Sequence, residues 1–127
     1  MSKIFEDAIK FAEQHVKPYT EEVDRDGRFP KEAYNELRKQ GYMGLIVPKE
    51  YGGIGGGAKE HAEVVHALSN YCATTGLCYM MHNVATTCII KFGSEELKKE
   101  FLPKIAKGEI AIALAYSESG SGTHFGS

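Results

Sequence analysis

This sequence has no charge excess, no long apolar run and little cysteine, and each absence removes a class of function. In 127 residues, 15 Lys and Arg face 17 Asp and Glu, for a net charge of −2. The mixing of Lys with Glu leaves no basic stripe for nucleic acid and no polybasic membrane anchor. No apolar signal sequence opens the chain, since residues 2–17 are amphipathic and charged. A membrane span needs ~20 apolar residues, and His82, Asn83 and Lys91 interrupt the best candidate. Cys72, Cys78 and Cys88 are odd in number, lack CxxC spacing and lie in or near apolar helical runs. They read as small reduced core residues, suited to a cytoplasmic protein. Metal chemistry is as poorly supplied. His61 and His66 are five apart, out of register for a helical ligand pair; His82 stands alone and Glu63 has no HExxH context. No metal site is expected.

What is present is a helical pattern. An apolar share of 43% allows a real core in one small domain. Residues 75–92 are apolar nearly all the way round, the mark of a helix buried on several sides. Thr74 or Thr75 is placed to cap its start, and Gly93 to end it in a left-handed conformation. Ahead of it, Ile4, Phe5, Ala8, Ile9, Phe11, Ala12 and Val16 recur at the helical period up to Pro18. A charged connection, TEEVDRDGR, separates that helix from a second running from Pro30 to Gly41, with Ala33, Tyr34 and Leu37 as its buried stripe. After the short apolar run YMGLIVP and a glycine-rich loop, a third helix over 58–72 would bury Ala62, Val65, Leu68 and Cys72. Its short link to the central helix implies an antiparallel pair. Ser94 caps a further helix that has Glu95 and Glu96 in its first turn, Leu97, Phe101 and Leu102 on its apolar face, and Pro103 as an interruption before Gly108.

The pattern then changes. Ile110, Ile112 and Leu114 alternate with Ala111, Ala113 and Ala115, the two-residue period of a strand. One strand cannot stand alone, so residues 109–127 look like the opening of a second, β-rich domain after a helical domain at 1–108.

Three features invite a chemical reading. Gly53, Gly55 and Ala58 match GxGxxA, but no βαβ unit or downstream acid accompanies them, and no Lys-Ser/Thr pair makes a P-loop. A flexible helix–helix connection is the better account. The stripe Tyr79, His82, Asn83 and Thr86 places polar groups in an apolar helix; they are either satisfied core polars or face a cavity or ligand. Finally, Ser117, Ser119, Gly120, Ser121, Gly122 and Thr123 offer hydroxyls and accessible backbone N–H groups suited to a flavin or phosphate, or form a solvated tail.

Taken together, FPKEAYNELRKQGYMGLIVPKEYGG, FGSEELKKEFLPKIAKGE and AYSESGSGT, in that order and spacing, resemble the N-terminal part of the acyl-CoA dehydrogenase family. The resemblance implies an all-α N-terminal helical-bundle domain, then the first strand of an incomplete β domain. It implies FAD as cofactor of the full-length protein, not retained by this piece, and α,β-oxidation of an acyl-CoA thioester. Electrons would pass to an electron-transferring flavoprotein or similar acceptor, within a homo-oligomer. By position, Tyr116 and Ser117 match the strand end that contacts the isoalloxazine ring, and Gly122 and Thr123 the pair that approaches the pyrophosphate. Tyr79 falls near the position that sets acyl-pocket depth, making Tyr79, Asn83 and Thr86 the expected wall. The general base falls outside these residues, so the chain alone is expected to be inactive. Two departures widen the choice. The turn lacks the family's proline, and His124 stands where the family has an acid; Gly122-Thr123-His124-Phe125 also looks like superfamily members that use reduced flavin for monooxygenation. A helical module that self-associates is the non-enzymatic alternative.

Overall fold

The computed structural model describes residues 2–115, 117–120 and 122. Among them lie helices α1 (Lys3–His15), α2 (Thr20–Asp26), α3 (Lys31–Lys39), α4 (Ala58–Ser69), α5 (Ala73–Phe92) and α6 (Glu95–Ala106), joined by turns that include short 3-10 segments. The all-α expectation matches this architecture. Ser2 accepts the Phe5 N–H at 3.3 Å and donates to Glu63 of α4, so one side chain caps α1 and ties it to its neighbour. α1 packs on α4 and α4 on α5. The 70–72 link folds α5 back along α4, and Gly76 permits the close approach, because a Cβ there would meet Ser69 Oγ at 1.9 Å.

The core has two parts. Phe11, Leu37, Met43, Leu45, Leu68 and Tyr79 belong to the larger. Val47, Leu102 and Ile105 form the smaller, with Ile89, Ile90, Ile110 and Ile112 packed against them. α3 buries the expected Ala33, Tyr34 and Leu37. Ser94 caps α6 by accepting the Leu97 N–H at 3.3 Å, with Glu95 and Glu96 in the first turn.

Several expectations need correction. The charged stretch after Pro18 is not a loop. It forms α2, which is anchored by a single buried side chain, Val23, and capped by Gly27. α4 turns Val64, Ala67 and Leu68 inward and leaves Ala62 exposed. α5 begins at Ala73, with extended Cys72 as its N-cap, and Gly93 leaves it extended at φ −68°, not left-handed. Pro103 lies inside α6. Its missing N–H would have served the carbonyl of Lys99, an exposed residue, while Leu102 and Ile105 hold the helix to the core.

The glycine loop is not a loose connection either. The N–H groups of Ile54, Gly55 and Gly56 donate to the carbonyls of Gly44, Val47 and Leu45 at 3.0, 2.9 and 2.7 Å. Those amides are engaged within the chain and are not displayed to a phosphate.

No strand forms among the described residues. Burial at 110–115 still alternates with a period of two, Ile110, Ile112 and Leu114 half-buried and Ala111, Ala113 and Ala115 exposed. The side-chain pattern of a strand is there, but a ladder requires a second strand.

Candidate functional site

The polar stripe of α5 faces inward. Tyr79, His82, Asn83 and Thr86 are each 0–1% exposed. Tyr79 Oη donates to the Tyr42 carbonyl at 2.9 Å, Asn83 Nδ2 to the Tyr79 carbonyl at 3.0 Å, and Thr86 Oγ1 to the His82 carbonyl at 2.8 Å. Burying these groups is tolerable because the helix's own carbonyls and a neighbouring turn receive their protons. Asn83 Oδ1 is the exception on this helix: it is buried and has no hydrogen-bond partner, as is His61 Nε2 on α4. The His61 ring lies 6.0 Å from that of Tyr79. Burial raises the Tyr79 phenol above its ordinary range and holds His61 and His82 below theirs.

The residues expected to wall an acyl pocket therefore point into the helical packing, enclosed by the chain itself. The exposed apolar surface of this helix lies on its opposite face. Leu77 is 56% exposed and Phe92 83%, and Met81, Val84 and Cys88 between them are half-buried. Their spacing, 77, 81, 84, 88 and 92, traces one apolar stripe along the helix. Beside it an apolar groove of about 330 Å³ runs between Cys88, Ile89, Leu97, Phe101, Ile112 and Leu114. Sequence reasoning missed this stripe because α5 is apolar on every side, and periodicity alone does not say which face a partner covers. The clue was available in the polar stripe: Tyr79, His82, Asn83 and Thr86 must be satisfied, and the helix interior is where fixed carbonyls lie.

Of the four expected flavin contacts, Tyr116 and Thr123 lie outside the described residues. Ser117 is exposed, and Gly122 is exposed with φ +41°. A Cβ built on Gly120 or Gly122 would meet no atom within 4 Å. The backbone at these two glycines is open to close approach. Among the described residues, no three His, Cys, Asp or Glu side chains gather as a metal site, and no helix is long and apolar enough to cross a membrane.

Comparison with known proteins gives this geometry its context. The family profile "Acyl-CoA dehydrogenase, N-terminal domain" matches residues 2–109. The short-chain-specific acyl-CoA dehydrogenase of Clostridium acetobutylicum is 38% identical over 118 residues, covering 92% of this chain and 31% of that protein. The NADH-dependent acryloyl-CoA reductase of Anaerotignum propionicum is 34% identical over 119 residues, covering 94% and 30%. Among solved structures, the acyl-CoA dehydrogenase of Bacillus anthracis complexed with FAD superposes with a TM-score of 0.85 at 30% identity, covering 96% of this chain and 21% of that one. The chain thus spans about a third of the length of these curated relatives. With a family profile covering most of its residues and a matching helical fold, the chain belongs to the acyl-CoA dehydrogenase family and corresponds to its N-terminal helical domain.

Proposed function

We propose that this chain provides the helical domain and the first flavin-contacting segment of an FAD-dependent enzyme that oxidises an acyl-CoA thioester between its α and β carbons. The observation that carries the reading is the family match over residues 2–109, followed a few residues on by Ser117, Gly120 and Gly122, which are exposed. FAD, when bound, would supply the hydride acceptor. The chain's own part is to bind and orient. Ser117 and Gly122, with Tyr116 and Thr123, would hold the flavin. The apolar stripe at 77–92 and its groove would exclude water from one side of the acyl chain, with Tyr79, Asn83 and Thr86 supporting that wall from behind. The general base comes from outside these residues, so the chain alone is inactive and retains no FAD. Its relatives include both a dehydrogenase and a reductase, and oxidation is the direction we assign. An electron-transferring flavoprotein or similar acceptor would take the electrons. Homo-oligomerisation and a cytoplasmic location complete the reading; the three thiols are free, which supports a reducing compartment.

The test joins this chain to the remaining domains of the C. acetobutylicum relative and titrates the purified flavoprotein with acyl-CoAs of graded length without oxygen. Bleaching of the flavin by a short acyl-CoA is expected. Bound FAD that no thioester bleaches would refute the reading.

The uncovered stripe on α5 favours a second reading for the isolated chain, self-association through that face. Sedimentation of the 127-residue chain as a clean monomer at high concentration would exclude it. Thr123, His124 and Phe125, which raised the monooxygenase alternative, lie outside the described residues.

A further inference from the structure

Residues 108–114 follow α6 and have no strand partner among the described residues, yet their path is not free. Arg38 of α3 donates through Nε to the Gly108 carbonyl at 2.6 Å and through Nη2 to the Glu109 carbonyl at 2.7 Å. Gly108 has φ +70°, and a Cβ there would sit 2.6 Å from the Arg38 carbonyl, so α3 and this turn meet backbone to backbone. Three residues further on, the Ile112 N–H donates to His82 Nδ1 at 3.3 Å. The other ring nitrogen of His82 lies 3.1 Å from the Met43 carbonyl. Because Nδ1 accepts, the proton must sit on Nε2, which donates to Met43. His82 is fully buried. One neutral ring thereby ties α5, the 3-10 turn Tyr42–Gly44 and the departing segment together.

We propose that His82, fixed as the Nε2–H tautomer, and Arg38 form a two-point clamp that sets the trajectory of residues 108–112, making His82 a positioning residue for the turn at 117–122. The positioning role rests on the reading of that turn as flavin-contacting; the clamp itself does not. An imidazolium would present a second donor to the Ile112 N–H and break the tie. The titratable and charged groups around it do not favour that form. Tyr79 on α5 is engaged with the Tyr42 carbonyl, His61 on α4 and Tyr42 on the turn are neutral, and Arg38 on α3 is cationic. Glu109, on the segment itself, is exposed and 4.0 Å from Lys107.

The test is nitrogen NMR and amide exchange on the 127-residue chain. Wild type should show one protonated and one accepting ring nitrogen at neutral pH, and a protected Ile112 amide. His82→Gln places its amide near Nε2 and loses the acceptor for Ile112. His82→Asn places a carbonyl near Nδ1 and keeps it. Ile112 exchange should rise about tenfold in His82→Gln and return toward wild type in His82→Asn. Arg38→Met should broaden or shift the signals of 108–112. An unprotected Ile112 amide in wild type, or equal protection in the Gln and Asn variants, overturns the clamp. Titrating FAD into the flavoprotein joined as above separates the two claims. Weaker FAD binding in His82→Gln than in His82→Asn supports positioning, and equal binding overturns it. Failure of the wild-type flavoprotein to bind FAD refutes the functional reading, while the amide result still decides the clamp.

Discussion

Replacing Tyr79 first by phenylalanine and then by alanine separates what its hydroxyl does from what its ring does. The hydroxyl donates to the Tyr42 carbonyl at 2.9 Å. That carbonyl also accepts the Leu45 N–H at 3.1 Å, so Tyr79→Phe leaves no orphaned acceptor. The expected loss is the net value of one hydrogen bond, about 1 kcal/mol. Tyr79→Ala also removes a ring that is 0% exposed and packed against His61, leaving a cavity in the larger core. Truncating a buried aromatic side chain costs about 3–5 kcal/mol. Urea unfolding followed by circular dichroism gives both values, and an unchanged slope confirms that the midpoint shift is a stability change. A loss below about 1 kcal/mol for Tyr79→Ala would show that the ring is not a core element, and that the inward orientation of the stripe is wrong.

Burial holds both His61 and His82 below the ordinary value of 6.5. The unfolded chain therefore takes up protons that the folded chain refuses. Stability should be full above about pH 6.5 and decline as the pH falls below it, through the lowered folded-state values. Urea midpoints at pH about 5 and about 7.5 check the sign, and equal midpoints would refute it. Gly53→Ala would drive a Cβ to 2.0 Å from the Val47 carbonyl oxygen; a loss of more than about 2 kcal/mol is expected from the melting curve. Leu77→Lys with Phe92→Lys alters only exposed positions. It should leave the chain's stability within about 0.5 kcal/mol while lowering any self-association seen by sedimentation.

What the sequence disclosed, and what it hid, follows from how local each cause is. The capping of α6 by Ser94 depends on residues within one turn, and the structure shows it as expected. The inward face of α3 also follows from spacing alone. By contrast, α2 holds one buried side chain among charges, and its existence depends on Val23 reaching the core, which composition does not reveal. Pro103 stays helical because Leu102 and Ile105 are pinned on either side, a tertiary effect that overrides a local rule. The alternation at 110–115 was legible as a face pattern, whereas strand formation needs a second strand. In the candidate site, the polar stripe was visible as an anomaly. Its direction depended on where the Tyr42 and Met43 carbonyls lie, some forty residues earlier in the chain.

The division of α5 into two faces bears most directly on function. A helix in a free-standing bundle gains stability by turning Leu, Met and Phe inward and Asn, His and Thr outward. α5 does the reverse along its middle: Tyr79, Asn83 and Thr86 are hidden and donate hydrogen bonds to backbone carbonyls, while Leu77 and Phe92 stand in solvent. The inward choice is compensated in part, because Asn83 and Thr86 return their protons to carbonyls one turn back, while the unpartnered Asn83 Oδ1 costs about 1–3 kcal/mol. The outward choice also has a cost, because exposed apolar surface forfeits about 25 cal/mol for every Å² that could have been covered. Apolar surface laid over the stripe would recover that energy. The inner face anchors the helix within this domain, and the outer face is thereby left open, which is the feature that the proposed role in walling an acyl pocket draws on.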